Sequence, residues 1–241
     1  MNEKLAREAG GRLLLRIEDT DQTRARREFV QGIFEDMRWL GIAFETPARV
    51  QSEHMPDYRA ALDRLDALGL LYKCTCTRLQ LAAAQGGNAD PDGTPLYPQT
   101  CRHHGPQDGG PFALRLKMDE AAARISAPLE LNGVKTDPSM WGDVVLARKD
   151  TGASYHLAVV VDDALQGVTH VVRGHDVEAA TSIHLLLQRL LGLPHPHYHH
   201  HDLIMRDAQR KLSKSHGDKS LRELREGGMS ARGVRAALGF A

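Results

Sequence analysis

The spacing of hydrophobic positions changes along the chain, and each change marks an element. Arg12-Leu13-Leu14-Leu15-Arg16-Ile17 is an apolar run of strand length after a Gly10-Gly11 turn, and Asn2 to Glu8 before it reads as a helix end. Phe29, Val30, Ile33, Phe34, Met37 and Leu40 recur at helical spacing, up to a Gly41 placed to stop the helix. A second helix is expected from Asp57 to Leu68, burying Tyr58, Leu62 and Leu65 and ending at Gly69. Both stripes are expected to be core.

The pattern then loosens. Gln85 to Pro95 and Gly105 to Pro111 are loop-like, and between and after them come short strands such as the alternation through Phe112, Leu114 and Leu116. Residues 72–140 therefore read as an insertion held by a metal instead of a large core. From Trp141 onward Asp143–Arg148, Tyr155–Val161 and Val168–Val172 are expected strands, with Tyr155 starting one and Arg173 ending its antiparallel neighbour. A helix from about Val177 to Leu191, capped by Asp176, should bury Ile183, Leu186, Leu187 and Leu190. A strand His201–Met205, a polar turn and two short helices near Lys219–Glu226 and Ser230–Leu238 follow. The expected organisation is α/β, with 1–71 and 141–241 forming one domain around the insertion.

Charge narrows the picture. Lys plus Arg and Asp plus Glu are both 31, so a strongly basic nucleic-acid coat is excluded and any nucleic-acid contact must use a local patch. No apolar run approaches membrane length and no signal-peptide core is present, so a cytoplasmic location without a membrane partner is expected. The three cysteines, an odd number, argue against a closed disulfide framework, and all lie within the 28 positions from Cys74 to Cys101.

Four constellations carry chemistry. Cys74, Cys76 and Cys101 supply three thiolates toward a structural Zn²⁺, with Tyr97, His103 or His104 as the fourth donor. Glu18-Asp19-Thr20-Asp21 follows the first strand, where side chains face a ligand crevice; Asp21 or Thr20 suits a helix cap and Glu18 a substrate amine. Tyr155 and Arg173 offer a hydroxyl and a planar fork for a carboxylate. Lys211-Leu212-Ser213-Lys214-Ser215 is a cationic loop suited to a polyphosphate. The histidine run from His195 to His201 looks like a metal tract, but strand geometry would send alternate rings to opposite faces so that they cannot all ligate one ion, and the run reads instead as a loop near the nucleotide.

In this order the pieces resemble the catalytic half of the glutamyl-tRNA synthetases, class I aminoacyl-tRNA synthetases. The matching text is Leu14 to Asp21, Tyr155 to Asp163, His170 to Gly174, and Lys211 to Ser215 as a form of the KMSKS signature. The Cys-x-Cys and Tyr-x-x-x-Cys pattern, and a chain that stops soon after the KMSKS-like loop, resemble the glutamyl-Q tRNA(Asp) synthetase family. The resemblance implies an α/β, Rossmann-type nucleotide-binding fold, N-terminally incomplete, with a zinc-stabilised insertion and no anticodon-binding domain. It implies ATP-dependent activation of L-glutamate and its transfer to the queuosine base in the anticodon loop of tRNA(Asp), by a monomer. It selects Tyr97 as fourth zinc ligand, sets Glu18, Tyr155 and Arg173 on glutamate, and sets Lys214, with Lys211, Ser213, Ser215 and Mg²⁺, on ATP. Rival readings are a non-catalytic RNA-binding relative and a piece of an enzyme charging tRNA(Glu). The family's other ATP signature, of HIGH type, belongs ahead of the helix leading to Arg12 and no residue here matches it. The 241-residue chain as written is therefore expected not to adenylate glutamate at a normal rate.

Overall fold

A computed structural model of the chain describes residues 1–83, 88–106, 110–207, 210–212 and 217–240. The elements in order are α1 (Asn2–Glu8), β1 (Leu14–Ile17), α2 (Arg27–Trp39), β2 (Glu45–Val50), α3 (Met55–Ala67), β3 (Leu71–Cys74), α4 (Arg78–Ala83), α5 (Thr100–His104), β4 (Ala113–Leu116) and α6 (Met118–Ala123). They continue with β5 (Leu129–Leu131), β6 (Val134–Thr136), β7 (Val145–Ala147), α7 (Tyr155–Leu165), β8 (His170–Gly174), α8 (Thr181–Leu191), β9 (His197–His201), α9 (Leu221–Glu226) and α10 (Ala231–Ala237). The contacts divide the chain into two compact units, Met1–Ser52 with Asp202–Ala241, and Glu53–His201. These boundaries differ from the expected 71/72 and 140/141.

In the first unit β1 runs parallel to β2, pairing Arg16 with Arg49 and Ile17 with Val50. Asp19, just past β1, accepts from the Ser52 amide (2.8 Å) and hydroxyl (2.6 Å), tying the two strand ends together. The expected burial of the α2 stripe is only partial: Phe29 and Ile33 are each 41% exposed. Val30, Phe34, Met37 and Leu40 are half-buried, with Phe34 against the Phe44 ring, and on the polar side Arg225 of α9 meets Asp36 at 3.5 Å and lies over the Trp39 ring. The two closing helices form as expected, α9 with a capping box between Ser220 and Glu223 and α10 with Ser230 accepting from the Gly233 amide. The expected strand at 201–205 reduces to a bridge between Met205 and Lys211.

The second unit holds the large core. α3 buries Tyr58, Leu62 and Leu65, α7 buries Leu157 and Val160, and α8 buries Ile183, Leu186 and Leu187. The expected strand over Tyr155–Val161 is the helix α7. Its apolar run is continuous because α7 packs against both α3 and α8, and periodicity cannot separate such a helix from a doubly covered strand. Ser154 starts it by accepting from the Leu157 amide. The Tyr58 hydroxyl, 3.0 Å from both oxygens of buried Asp162, satisfies that carboxylate inside the core. α8 begins at Thr181, later than expected, because His175–Val177 forms a separate 3₁₀ turn, and Asp176 does not cap it.

The expected insertion is not a coreless module. β4 lies between β3 and β7 in one antiparallel sheet, and Leu116, Met118, Ala121 and Leu129 join the main core. The histidine run is a strand, not a loop: β9 pairs in parallel with β8, His170 opposite His197 and Arg173 opposite His200. Alternation then sends Tyr198 and His200 inward and leaves His197 and His199 outside against His170. Among the described residues no helix is long and apolar enough to cross a membrane.

Candidate functional site

The thiol cluster is built at the end of β3 and the start of α5. The Sγ atoms of Cys74, Cys76 and Cys101 all lie within 4.8 Å of one another. The Tyr97 hydroxyl sits 3.4 Å from Cys74 Sγ and 3.6 Å from Cys76 Sγ, and Cys76 and Cys101 are 3.4 Å apart. Donors of a tetrahedral zinc, about 2.3 Å from the ion, stand about 3.7 Å from one another, so these four fit it. His103 and His104 are exposed on α5, and neither belongs to a metal-capable group among the described residues.

The sequence folds this way because Gln99 adopts a left-handed backbone (φ 58°), turning the chain so that the Cys101 amide donates to the Tyr97 hydroxyl at 2.9 Å. Lys149 donates to the Thr75 and Cys76 carbonyls, holding the Cys-x-Cys turn. Arg115 stacks on the Tyr97 ring at 3.8 Å and donates to the Asp143 carbonyl. The buried Asp143 carboxylate accepts from Tyr72, the Met118 amide and Arg102, the residue after Cys101. Burial pushes the Cys76 thiol up to about 11 and raises the Tyr97 phenol. Burial also opposes ionisation of Cys101, but hydrogen bonds from Tyr97, Thr75 and Cys76 outweigh it and draw that thiol down to about 6.

The second cluster surrounds Arg173 at the end of β8. Its Nη1 lies 3.4 Å from the Tyr155 hydroxyl and 3.1 Å from His184 Nδ1. Nη2 donates to the Thr181 hydroxyl at 2.6 Å, and Nε to His200 Nε2 at 3.4 Å. Among the described residues every partner is neutral or titratable to neutral and none is a carboxylate, so the guanidinium keeps its charge for an outside anion. The antiparallel strand pair expected for Tyr155 and Arg173 is absent, yet the two side chains meet. Tyr155 opens α7, stays 38% exposed, and packs edge-on against His156 and His184. His156 Nδ1 is 3.2 Å from His184 Nε2. Burial, with the Arg173 charge, lowers His156 to about 4; burial, with the neighbouring charges, also holds His184 well below its ordinary value. Sequence reading missed His156, Thr181, His184 and His200, since only tertiary packing brings them to Arg173. A cavity of about 900 Å³ runs from Cys74 and Tyr97 to Tyr155 and His156.

In the first unit Glu18 follows β1, with its carboxylate 3.8 Å from Arg16 Nε and 44% exposed. Asp21 does not cap α2, which starts at Arg27 without a side-chain cap. It accepts instead from the Thr23 hydroxyl (2.6 Å), which holds its carboxyl below the usual range. Lys211 is exposed, bridged to Met205. Ser213, Lys214 and Ser215 lie outside the described residues.

Comparison with known proteins identifies the family. The family described as tRNA synthetases class I (E and Q), catalytic domain, matches residues 1–235. A glutamyl-Q tRNA(Asp) synthetase of Rhodobacter capsulatus is 46% identical over 98% of this chain and 91% of its own. One of Symbiobacterium thermophilum is 38% identical over 98% of this chain and 77% of its own. A glutamate–tRNA ligase of Oleidesulfovibrio alaskensis is 37% identical over 93% of this chain and 48% of its own. A crystal structure of a glutamate tRNA ligase from Elizabethkingia meningosepticum in complex with its amino acid superposes with a TM-score of 0.68 at 23% identity, covering 90% of this chain. This chain spans about half of that one (48%), and the likeness shows the α/β class I synthetase fold. The chain belongs to the class I tRNA synthetase catalytic-domain family of the E and Q type, ligases of the aminoacyl-tRNA synthetase kind.

Proposed function

We propose that the chain binds L-glutamate at Arg173 and Tyr155, activates it with ATP, and serves its transfer to the queuosine base in the anticodon loop of tRNA(Asp). The observation that carries this reading is a guanidinium beside a hydroxyl, with hydroxyl and imidazole acceptors and no carboxylate among its partners in the described residues. Such a cation suits a carboxylate, and L-glutamate carries two. Glu18 is assigned to the ammonium group. Lys214, with Lys211, Ser213, Ser215 and Mg²⁺, is assigned to ATP. A glutamate carboxylate oxygen attacks the α-phosphorus and pyrophosphate leaves with its charge neutralised, so no protein nucleophile is needed. Cys74, Cys76 and Cys101, with Tyr97, would hold a structural Zn²⁺, which would tie the end of β3 to α5. The setting is cytoplasmic and the protein monomeric.

Identity to glutamate–tRNA ligases at 37% supports a second reading, in which the acceptor is tRNA(Glu). Binding is the direct test of the reading. Calorimetry should show L-glutamate preferred over L-glutamine, and Arg173→Ala should weaken it by about thirtyfold or more. A chain indifferent to L-glutamate refutes the reading. Tighter binding of tRNA(Glu) than of queuosine-bearing tRNA(Asp) would move the acceptor to the second.

A further inference from the structure

The contacts of Arg173 dictate where its neighbours carry their protons. A guanidinium donates and never accepts. His184 Nδ1, 3.1 Å from Arg173 Nη1, is therefore the unprotonated nitrogen of that ring. Protonating it would set a second positive charge against the first at that distance. His184 is 1% exposed, so the ring is neutral and its hydrogen sits on Nε2. Nε2 points at His156 Nδ1, 3.2 Å away, and makes that nitrogen an acceptor as well. The other edge obeys the same rule. Arg173 Nε donates to His200 Nε2, so the hydrogen of a neutral His200 lies on Nδ1, 3.8 Å from Glu178 Oε1. Thr181 takes the Nη2 hydrogen bond from the start of α8.

The arrangement is directional. Arg173 donates to His184 and His184 donates to His156, while the Tyr155 and Trp141 rings pack edge-on against His156. The groups facing the His184 ring are His156 and Tyr155 from α7 and Arg173 from β8, with His200 of β9 acting on it through space. We infer that His184, backed by His156, is a positioning residue that fixes the Arg173 guanidinium for its carboxylate ligand by accepting from Nη1 in one tautomer. The inference rests on the L-glutamate reading of this site. Burial lowers the proton affinity of both rings, which keeps the order intact at neutral pH.

The test has two independent parts. Nitrogen-15 spectra of the histidines in the wild-type chain, taken between about pH 6 and 8 where free histidine titrates, should show His184 protonated on Nε2 and bare on Nδ1. In calorimetry, His184→Gln keeps an acceptor for Arg173 and a donor for His156, and should hold L-glutamate within about threefold of wild type. His184→Leu keeps neither and should lose about tenfold or more. A proton on His184 Nδ1 overturns the inference, as does a folded His184→Leu chain that binds L-glutamate like wild type. The spectra need no variant, so they decide the tautomer even where His184→Leu fails to fold. A wild-type chain that ignores L-glutamate sinks the substrate reading separately, whatever the spectra show.

Discussion

The two polar clusters of the Glu53–His201 unit are chemical opposites. Around Tyr97 four electron-pair donors converge, three of them sulfur, and one thiol is drawn toward the thiolate. Around Arg173 the centre is a fixed cation and the surroundings are neutral acceptors, with imidazoles held below their ordinary proton affinity. The first arrangement favours a cation and the second an anion. They also differ in range. The thiol cluster is assembled from the 28 positions between Cys74 and Cys101, whereas the Arg173 cluster gathers α7, β8, α8 and β9. A local cluster can depend on its ion for its shape; a cluster spread over core elements is held by packing.

That difference predicts the largest effect in the molecule. Purified chain should carry about one zinc, and Cys101→Ser should lose it together with protection of the β3 and α5 amides in hydrogen exchange. Structural zinc contributes on the order of 10 kcal/mol in isolated small motifs. Here the sheet β3–β4–β7 shares the main core, so the loss should stay local and the midpoint of core unfolding should move far less. Zinc-free wild type with unchanged exchange, or a fully loaded Cys101→Ser, would abolish the contrast.

The same difference in range explains what was legible in the sequence. Cys74, Cys76 and Cys101 could be named because their spacing is short, whereas residue type alone made His103 or His104 the safer fourth donor and only the family resemblance pointed to Tyr97. Tyr155 and Arg173 could be named by residue type, and they do meet, but not as the expected strand pair. Leu157 to Val161 is buried on all sides, and continuous burial erases the period that separates helix from strand. The α2 stripe was legible only in part: its period is helical and Val30, Phe34, Met37 and Leu40 are half-buried, but Phe29 and Ile33 stay exposed. Periodicity reports that a face is apolar, not that something covers it. His184 had no signal of its own, being one of several buried polar residues in α8 with Thr181, Ser182 and Gln188.

The Arg173 side is sharpened by pH. His156 is held at about 4 by burial and by the Arg173 charge, against an ordinary value near 6.5. The folded state therefore resists the proton that the unfolded chain accepts. The resulting stability is complete above about pH 6.5 and is lost as pH falls from there toward 4, on the order of 3 kcal/mol in all. Urea unfolding at about pH 7.5 and 4.5 should show wild type losing more than His156→Phe, which has no ring to protonate. Equal losses would mean that His156 is not kept neutral by the fold, and the neutral surroundings of Arg173 would lose their main support.

The smallest effect is expected at the edge of the thiol cluster, where a cation already sits. Lys149 is exposed, yet its ammonium reaches the Thr75 carbonyl at 2.6 Å and the Cys76 carbonyl at 3.0 Å. It thereby fixes the turn that aims Cys74 and Cys76 at one point without approaching the sulfurs as a ligand. Lys149→Met keeps the aliphatic stem and removes the donor. Partners of this outer kind typically cost about tenfold in metal affinity when removed. Competition with a chromophoric chelator should show that loss with the one-zinc stoichiometry unchanged, because all four donors remain. A drop in stoichiometry would instead make the turn part of the site's integrity. An unchanged affinity would show that Gln99 and the Tyr97–Cys101 hydrogen bond set the geometry alone, and that the thiol cluster, like the Arg173 cluster, is held by packing.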